Sequence, residues 1–238
     1  MQNRKAMKAR RLQRKKQQRV TSILVIIGVA LILSAFLMLP TIRQSVAPLG
    51  DFIQPDLNPR PMAVGNAMGD PNAPVVIHEY SDFGCSHCFT FSSGAGEEIA
   101  EAYVASGQVY FVYHSVGNML SPISAEITEA AYCAGDQGKF WEFHDIVFEN
   151  QITLFSNANL PLDKYMMAFG EALTLEPDEF ASCNDSGKYA SQVQQDRVDA
   201  QAAGINSTPS FLVNGTLLVG AQPFSEFEAV NEAILLEQ

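Results

Sequence analysis

The strongest constraint on how this chain folds is a strand-helix-strand signature in residues 73–116. APVVIHEYSD (73–82) is a β-branched, apolar run bounded by Pro74 and a Ser-Asp-Phe-Gly turn, and it predicts a buried strand over Val75 to Tyr80. Phe91, Ala95, Ile99 and Tyr103 then recur every four residues up to Gly107, the spacing of an amphipathic helix with a glycine stop. Gly94 and Gly96 weaken that helix by about 1 kcal/mol each and predict a bend. QVYFVYHSV (108–116) supplies a second strand, so the unit implies a parallel pair joined by a right-handed crossover.

Two cysteines sit at the start of that helix, in SDFGCSHCFTF (81–91). Cys85 stands where the strand ends and Cys88 lies in the first helical turn. Unpaired N–H groups and the helix dipole stabilise an anion there, and a protonated His87 would add positive charge. Cys85 is therefore expected to be an exposed, easily ionised nucleophile, with Cys88 the resolving thiol. A zinc site would need four ligands in compact knuckles, whereas the next cysteines, Cys133 and Cys183, are far off in sequence with no second C-x-x-C and no paired histidines. Glu79 alternates onto the face of Val75 and Ile77, which carries its carboxylate into the core beneath the cysteines. Burial should raise its pKa and fit it to exchange the resolving thiol's proton, unless it reaches water at the strand end. His78 and Tyr80 fall on the opposite face and read as packing groups.

The N-terminal segment decides what the cysteines can be. Residues 1–19 hold nine Lys or Arg and no acid, and 20–39 run twenty residues without a charge. At about 1.5 Å per residue such a run makes roughly 30 Å of helix, the thickness of a bilayer core. The expectation is a single membrane span with a basic cytoplasmic tail, placing the rest outside the cytoplasm. A cleaved signal peptide, whose apolar region is normally shorter, is the competing reading and exports the same domain. Residues 20–238 keep six basic side chains against all 26 acids, a formal charge of −20 that argues against nucleic acid as a partner. PTIRQSVAPLGDFIQPDLNPRPM (40–62), with five prolines, reads as an extended tether, and residues 63–238 as one domain. All four cysteines fall in that exported part, where disulfides are the default.

Near the C-terminus, Ser210 to Val213 and Thr216 to Val219 flank Asn214-Gly215, a strong two-residue hairpin signal. Pro209, just before the first strand, is either trans at a strand start or cis in a tight turn.

Strand, Glu79, Cys85-Ser86-His87-Cys88, helix, then Thr208-Pro209 opening a terminal hairpin and helix: this order resembles the thioredoxin superfamily. The histidine within the pair and the long insertion make it similar to the membrane-anchored, DsbA-like thiol-disulfide oxidoreductases. The resemblance implies an α/β thioredoxin fold with an inserted all-helical domain at about 122–203, preceded by a single transmembrane helix. It implies a cis Pro209 against the Cys85 sulfur, with Ser86 and Thr208 meeting an extended substrate peptide. No cofactor beyond the Cys85–Cys88 disulfide is implied. Exported proteins with free thiols would be the clients, and a membrane quinone reductase of the DsbB or vitamin-K-epoxide-reductase (VKOR) type the reoxidant. Ser86 stands where the best-known oxidases of the family have proline, so their potential does not carry over. The same fold could run as a reductase or isomerase, or serve as a peptide-binding module.

Within the insertion, GKFWEFHDIVFENQ (138–151) places Phe140, Phe143, His144, Val147 and Phe148 at helical spacings, with Trp141 and the phenylalanines as core or groove wall. Cys133 and Cys183 are expected to form a structural disulfide; two inert thiols or an electron-relay pair are the alternatives.

Overall fold

A computed structural model describes residues 21, 23–34, 49–56, 58–117 and 119–237, which fall in two units, 1–48 and 49–238. In the first unit residues 23–34 are helical, with Leu24, Ile26, Leu31 and Ile32 among the exposed apolar side chains. Among the described residues no helix is long and apolar enough to cross a membrane. The basic tail 1–19, both ends of the expected span 20–39 and residues 40–48 of the expected tether lie outside the described residues.

The second unit is a five-stranded sheet with helices around it. Its strands are β1 (Ala67–Met68), β2 (Val75–Ser81), β3 (Val109–Ser115), β4 (Ser210–Val213) and β5 (Thr216–Val219), in the order β1-β3-β2-β4-β5. Among the described residues only β2 and β3 pair in parallel, as a crossover through a helix requires. That crossover is α1 (Ser86–Ser92), then α2 (Ala95–Ile99) running into a π-helical turn at Ala100–Val104. The expected bend falls at Gly94, whose backbone (φ −138°, ψ −105°) leaves the helical region. Phe91 of α1 packs on Phe211 of β4, with ring centroids 4.4 Å apart, and on Phe227 of the C-terminal helix at 5.5 Å. This aromatic layer seats the C-x-x-C helix on the middle of the sheet.

Between β3 and β4 the chain is all helical: α3 (Ile123–Asp136), α4 (Phe140–Glu149), α5 (Gln151–Ser156), α6 (Leu162–Ala172), α7 (Pro177–Asp185) and α8 (Ala190–Ala202). α9 (Phe224–Leu236) closes the chain. The Cys133 and Cys183 sulfurs are bonded at 1.99 Å, tying α3 to α7 across 50 residues. In the chain-entropy account, closing such a loop stabilises by about 4 kcal/mol. Asn214, at φ 45° in the hairpin turn, accepts from Val76 N at 2.7 Å and donates to Pro74 O at 3.0 Å, so this turn also pins β4 to β2.

Part of the Pro-rich stretch expected as tether, within 49–62, is fastened to this unit as a strap. Ile53 exchanges two hydrogen bonds with the Asn150 side chain, both 2.7 Å, and Phe52 meets Phe169 edge-on. Asn58 donates to Glu97 at 2.6 Å, and Arg60 pairs with Asp145 at 2.8 Å while lying over the Trp141 ring. Side chains, which periodicity does not see, hold this strap.

Candidate active site

Cys85 is the N-cap of α1, in an extended conformation (φ −91°, ψ 117°). Its carbonyl accepts from Cys88 N at 3.1 Å and Phe89 N at 3.2 Å, the first bonds of the helix. Both thiols are free. The expectation of an exposed nucleophile needs correction, because Cys85 is only 5% exposed. Its thiol donates to Thr208 O at 3.4 Å, so the loop before β4 lies over the sulfur. Cys88, one helical turn in, has no exposed surface. Ser86 and His87, between them, are exposed.

The two thiols differ in acidity. A hydrogen bond from the Cys88 side chain, opposed by burial and helped by the Thr208 side chain and the backbone N–H groups of Cys88 and His87, brings the Cys85 thiol from 9 down to about 5. The Thr208 carbonyl favours the neutral thiol, but one acceptor faces several donors and the donors win. His87 contributes its backbone N–H, where its ring charge was expected to act. Burial, followed by the hydrogen bond to Cys85 and the charges of Cys85 and Glu79, pushes the Cys88 thiol well above its usual range. One sulfur is anionic at neutral pH, and its neighbour holds its proton.

Glu79 is 2% exposed and lies opposite Tyr113 on β3 and Phe211 on β4. Burial raises its carboxyl to about 8, against the lowering effects of the neighbouring Ser81 hydroxyl and the Arg60 charge. Its Oε1, Ser81 Oγ and Tyr113 OH are buried without hydrogen-bond partners among the described residues. A protonated carboxylic acid beside a buried thiol can hand over a proton and take it back.

The peptide bond Thr208-Pro209 is cis, and Pro209 is buried at the head of β4. Ser210 Oγ donates to Ser207 O at 2.8 Å, and Gly220 N to Pro209 O at 2.8 Å, which fastens this loop on both sides. Cys85, Cys88, Glu79, Thr208 and Pro209 thus converge at the end of β2, with Ser86 and His87 at the surface. Cys133 and Cys183 belong to the insertion's own staple.

Three groups that shape this site were not singled out in the sequence. Asp82, fully buried, accepts from Gly84 N at 2.7 Å, Ser124 Oγ at 2.5 Å and Leu120 N at 3.2 Å, holding the turn that leads into Cys85. The Asp-x-Gly pattern was its available signal. Arg60 of the strap acts on Glu79 by charge. Gln151 of α5 donates to Phe83 O at 2.7 Å and Cys85 O at 3.0 Å. His144, read as packing, is 2% exposed and donates from Nδ1 to Asp145 at 2.8 Å.

Residues 63–233 match the family model described as "Thioredoxin". Disulfide bond formation protein D of Bacillus subtilis is 26% identical over 187 residues, covering 76% of this chain and 78% of that protein. A Na(+)/H(+) antiporter NhaA of Herminiimonas arsenicoxydans is 28% identical over 190 residues, which are 80% of this chain and 28% of the antiporter. The chain spans less than a third of the antiporter sequences it matches first. Among solved structures, oxidised BdbD of Bacillus subtilis superposes with a TM-score of 0.64 at 23% identity, covering 78% of this chain and 99% of that one. A helix-capping cysteine pair, a cis-proline loop and an inserted helical domain are arranged here on one sheet. The chain belongs to the thioredoxin family, and its fold is that of the DsbA-like members.

Proposed function

We propose that this protein is a thiol-disulfide oxidoreductase that makes disulfides in exported proteins, tethered to the outer face of the cell membrane by residues 20–39. The observation that carries the reading is the unequal pair at the head of α1, with Cys85 at about 5 and Cys88 driven the other way. A stabilised Cys85 thiolate stabilises the reduced enzyme, and a stable reduced form makes the disulfide a stronger oxidant. The relative named for disulfide bond formation and the charge-free N-terminal run, with its exposed apolar helix at 23–34, support the same reading.

The reaction begins with the Cys85–Cys88 disulfide. A client thiolate attacks the Cys85 sulfur and forms a mixed disulfide, and the electron pair of the broken bond leaves on Cys88. Glu79, protonated at neutral pH, gives Cys88 its proton. The client's second thiolate then attacks its own sulfur in the mixed disulfide and releases Cys85 as a thiolate. The client has lost two electrons and the enzyme has gained them. Reoxidation reverses the bookkeeping of protons at Glu79 and passes the electrons to a membrane quinone reductase of the DsbB or VKOR type.

Equilibrating the full chain with reduced and oxidised glutathione tests the direction. The expected potential is clearly more oxidising than the about −270 mV of thioredoxin. A value at or below it would assign the protein to disulfide reduction.

A further inference from the structure

We propose that Gln151 is a positioning residue for Cys85, through which the helical insertion holds the nucleophile's loop in its reactive geometry. The proposal rests on Cys85 being the nucleophile. Gln151 lies 66 residues from Cys85 in sequence, yet its carboxamide nitrogen bonds the carbonyls of both Phe83 and Cys85. Those carbonyls bracket Gly84, in the short turn that carries the sulfur from β2 to α1. The Cys85 carbonyl is also the first acceptor of α1, so its direction and the direction of the helix's opening N–H groups are set together. The Cys88 N–H, one of the two this carbonyl accepts from, also favours the Cys85 thiolate together with the His87 N–H, and hydrogen bonds weaken steeply as they lose alignment.

Gln151 is itself held. It is 8% exposed, and its neighbour Asn150 is fastened by its side chain to Ile53 of the strap and to Ile146 O of α4, each at 2.7 Å. A line of hydrogen bonds therefore runs from strap to insertion to cysteine loop. A glutamine there suits two carbonyl acceptors, since one NH₂ group offers two donors and no charge.

The test compares Gln151→Met, which keeps the side chain's length without a donor, and Gln151→Glu, which sets a carboxylate against two carbonyls. The readout is ionisation of Cys85 in the reduced full-length protein, followed by thiolate absorbance and alkylation rate against pH, with melting recorded alongside. Gln151→Met is expected to raise the midpoint by about one pH unit, roughly a tenfold loss in ionisation constant, and Gln151→Glu by more. If either variant fails to fold, the other decides. A low wild-type midpoint that a folded variant shares, whatever happens to its melting temperature, overturns the proposal alone and leaves Gln151 a packing residue. An ordinary wild-type midpoint overturns the proposed function and this proposal with it.

Discussion

Replacing Cys88 with serine is expected to turn the protein into a trap. Without the buried thiol, a mixed disulfide that Cys85 forms with a monothiol such as glutathione has no intramolecular nucleophile to break it. Well-oriented intramolecular attack is worth effective concentrations of about 10⁵ M or more, so the adduct's lifetime should lengthen by at least about a thousandfold. Serine is the informative choice because a hydroxyl keeps a donor for the Cys85 sulfur, the largest of the influences that hold it near 5. Cys88→Ala loses that donor, so its adduct should form more slowly although it persists as long. Mass spectrometry of the reduced variants after mixing with oxidised glutathione reads both effects. Absence of a persistent adduct on Cys85 in the serine variant contradicts the assigned order of attack.

Glu79→Gln should stabilise the fold while disabling it. A carboxyl at about 8 in the folded protein ionises near 4.5 once unfolded, so the unfolded chain binds fewer protons between those values. Stability contributed by the protonated group is complete below the unfolded value and is lost as pH rises through the folded one. Glutamine does not ionise and escapes this loss. The variant should therefore match the parent near pH 4 and exceed it by about 3 kcal/mol at pH 7, seen in denaturant titrations across pH. Its exchange should slow by about a hundredfold or more in the step where Cys88 gains or loses its proton. A stability difference that does not change with pH contradicts the buried acid.

These effects show why some of this molecule was legible in one sequence. The parallel pair β2-β3, the bent helix between and the Asn214 hairpin followed from local periodicity and turn chemistry, which each element carries within its own residues. Glu79 followed from strand alternation, since period two fixes which face a side chain takes. The loop over Cys85 followed only from the family resemblance and not from local pattern, because Thr208 reaches that sulfur across 123 residues. Local pattern also misses Gln151, indistinguishable in its helix from a solvent-facing glutamine, and Arg60, in a proline-rich run whose side chains, not its backbone pattern, bind it to Asp145. Local pattern carries the elements; contacts between distant elements carry the site's electrostatics.

The most direct measurement is the ultraviolet thiolate absorbance of the reduced protein as pH is raised, with Cys85→Ser as the blank. One thiolate should appear with a midpoint near 5 and vanish in the blank, while the second stays protonated to well above neutral. A first midpoint near 9, where an unassisted thiol ionises, would contradict the account.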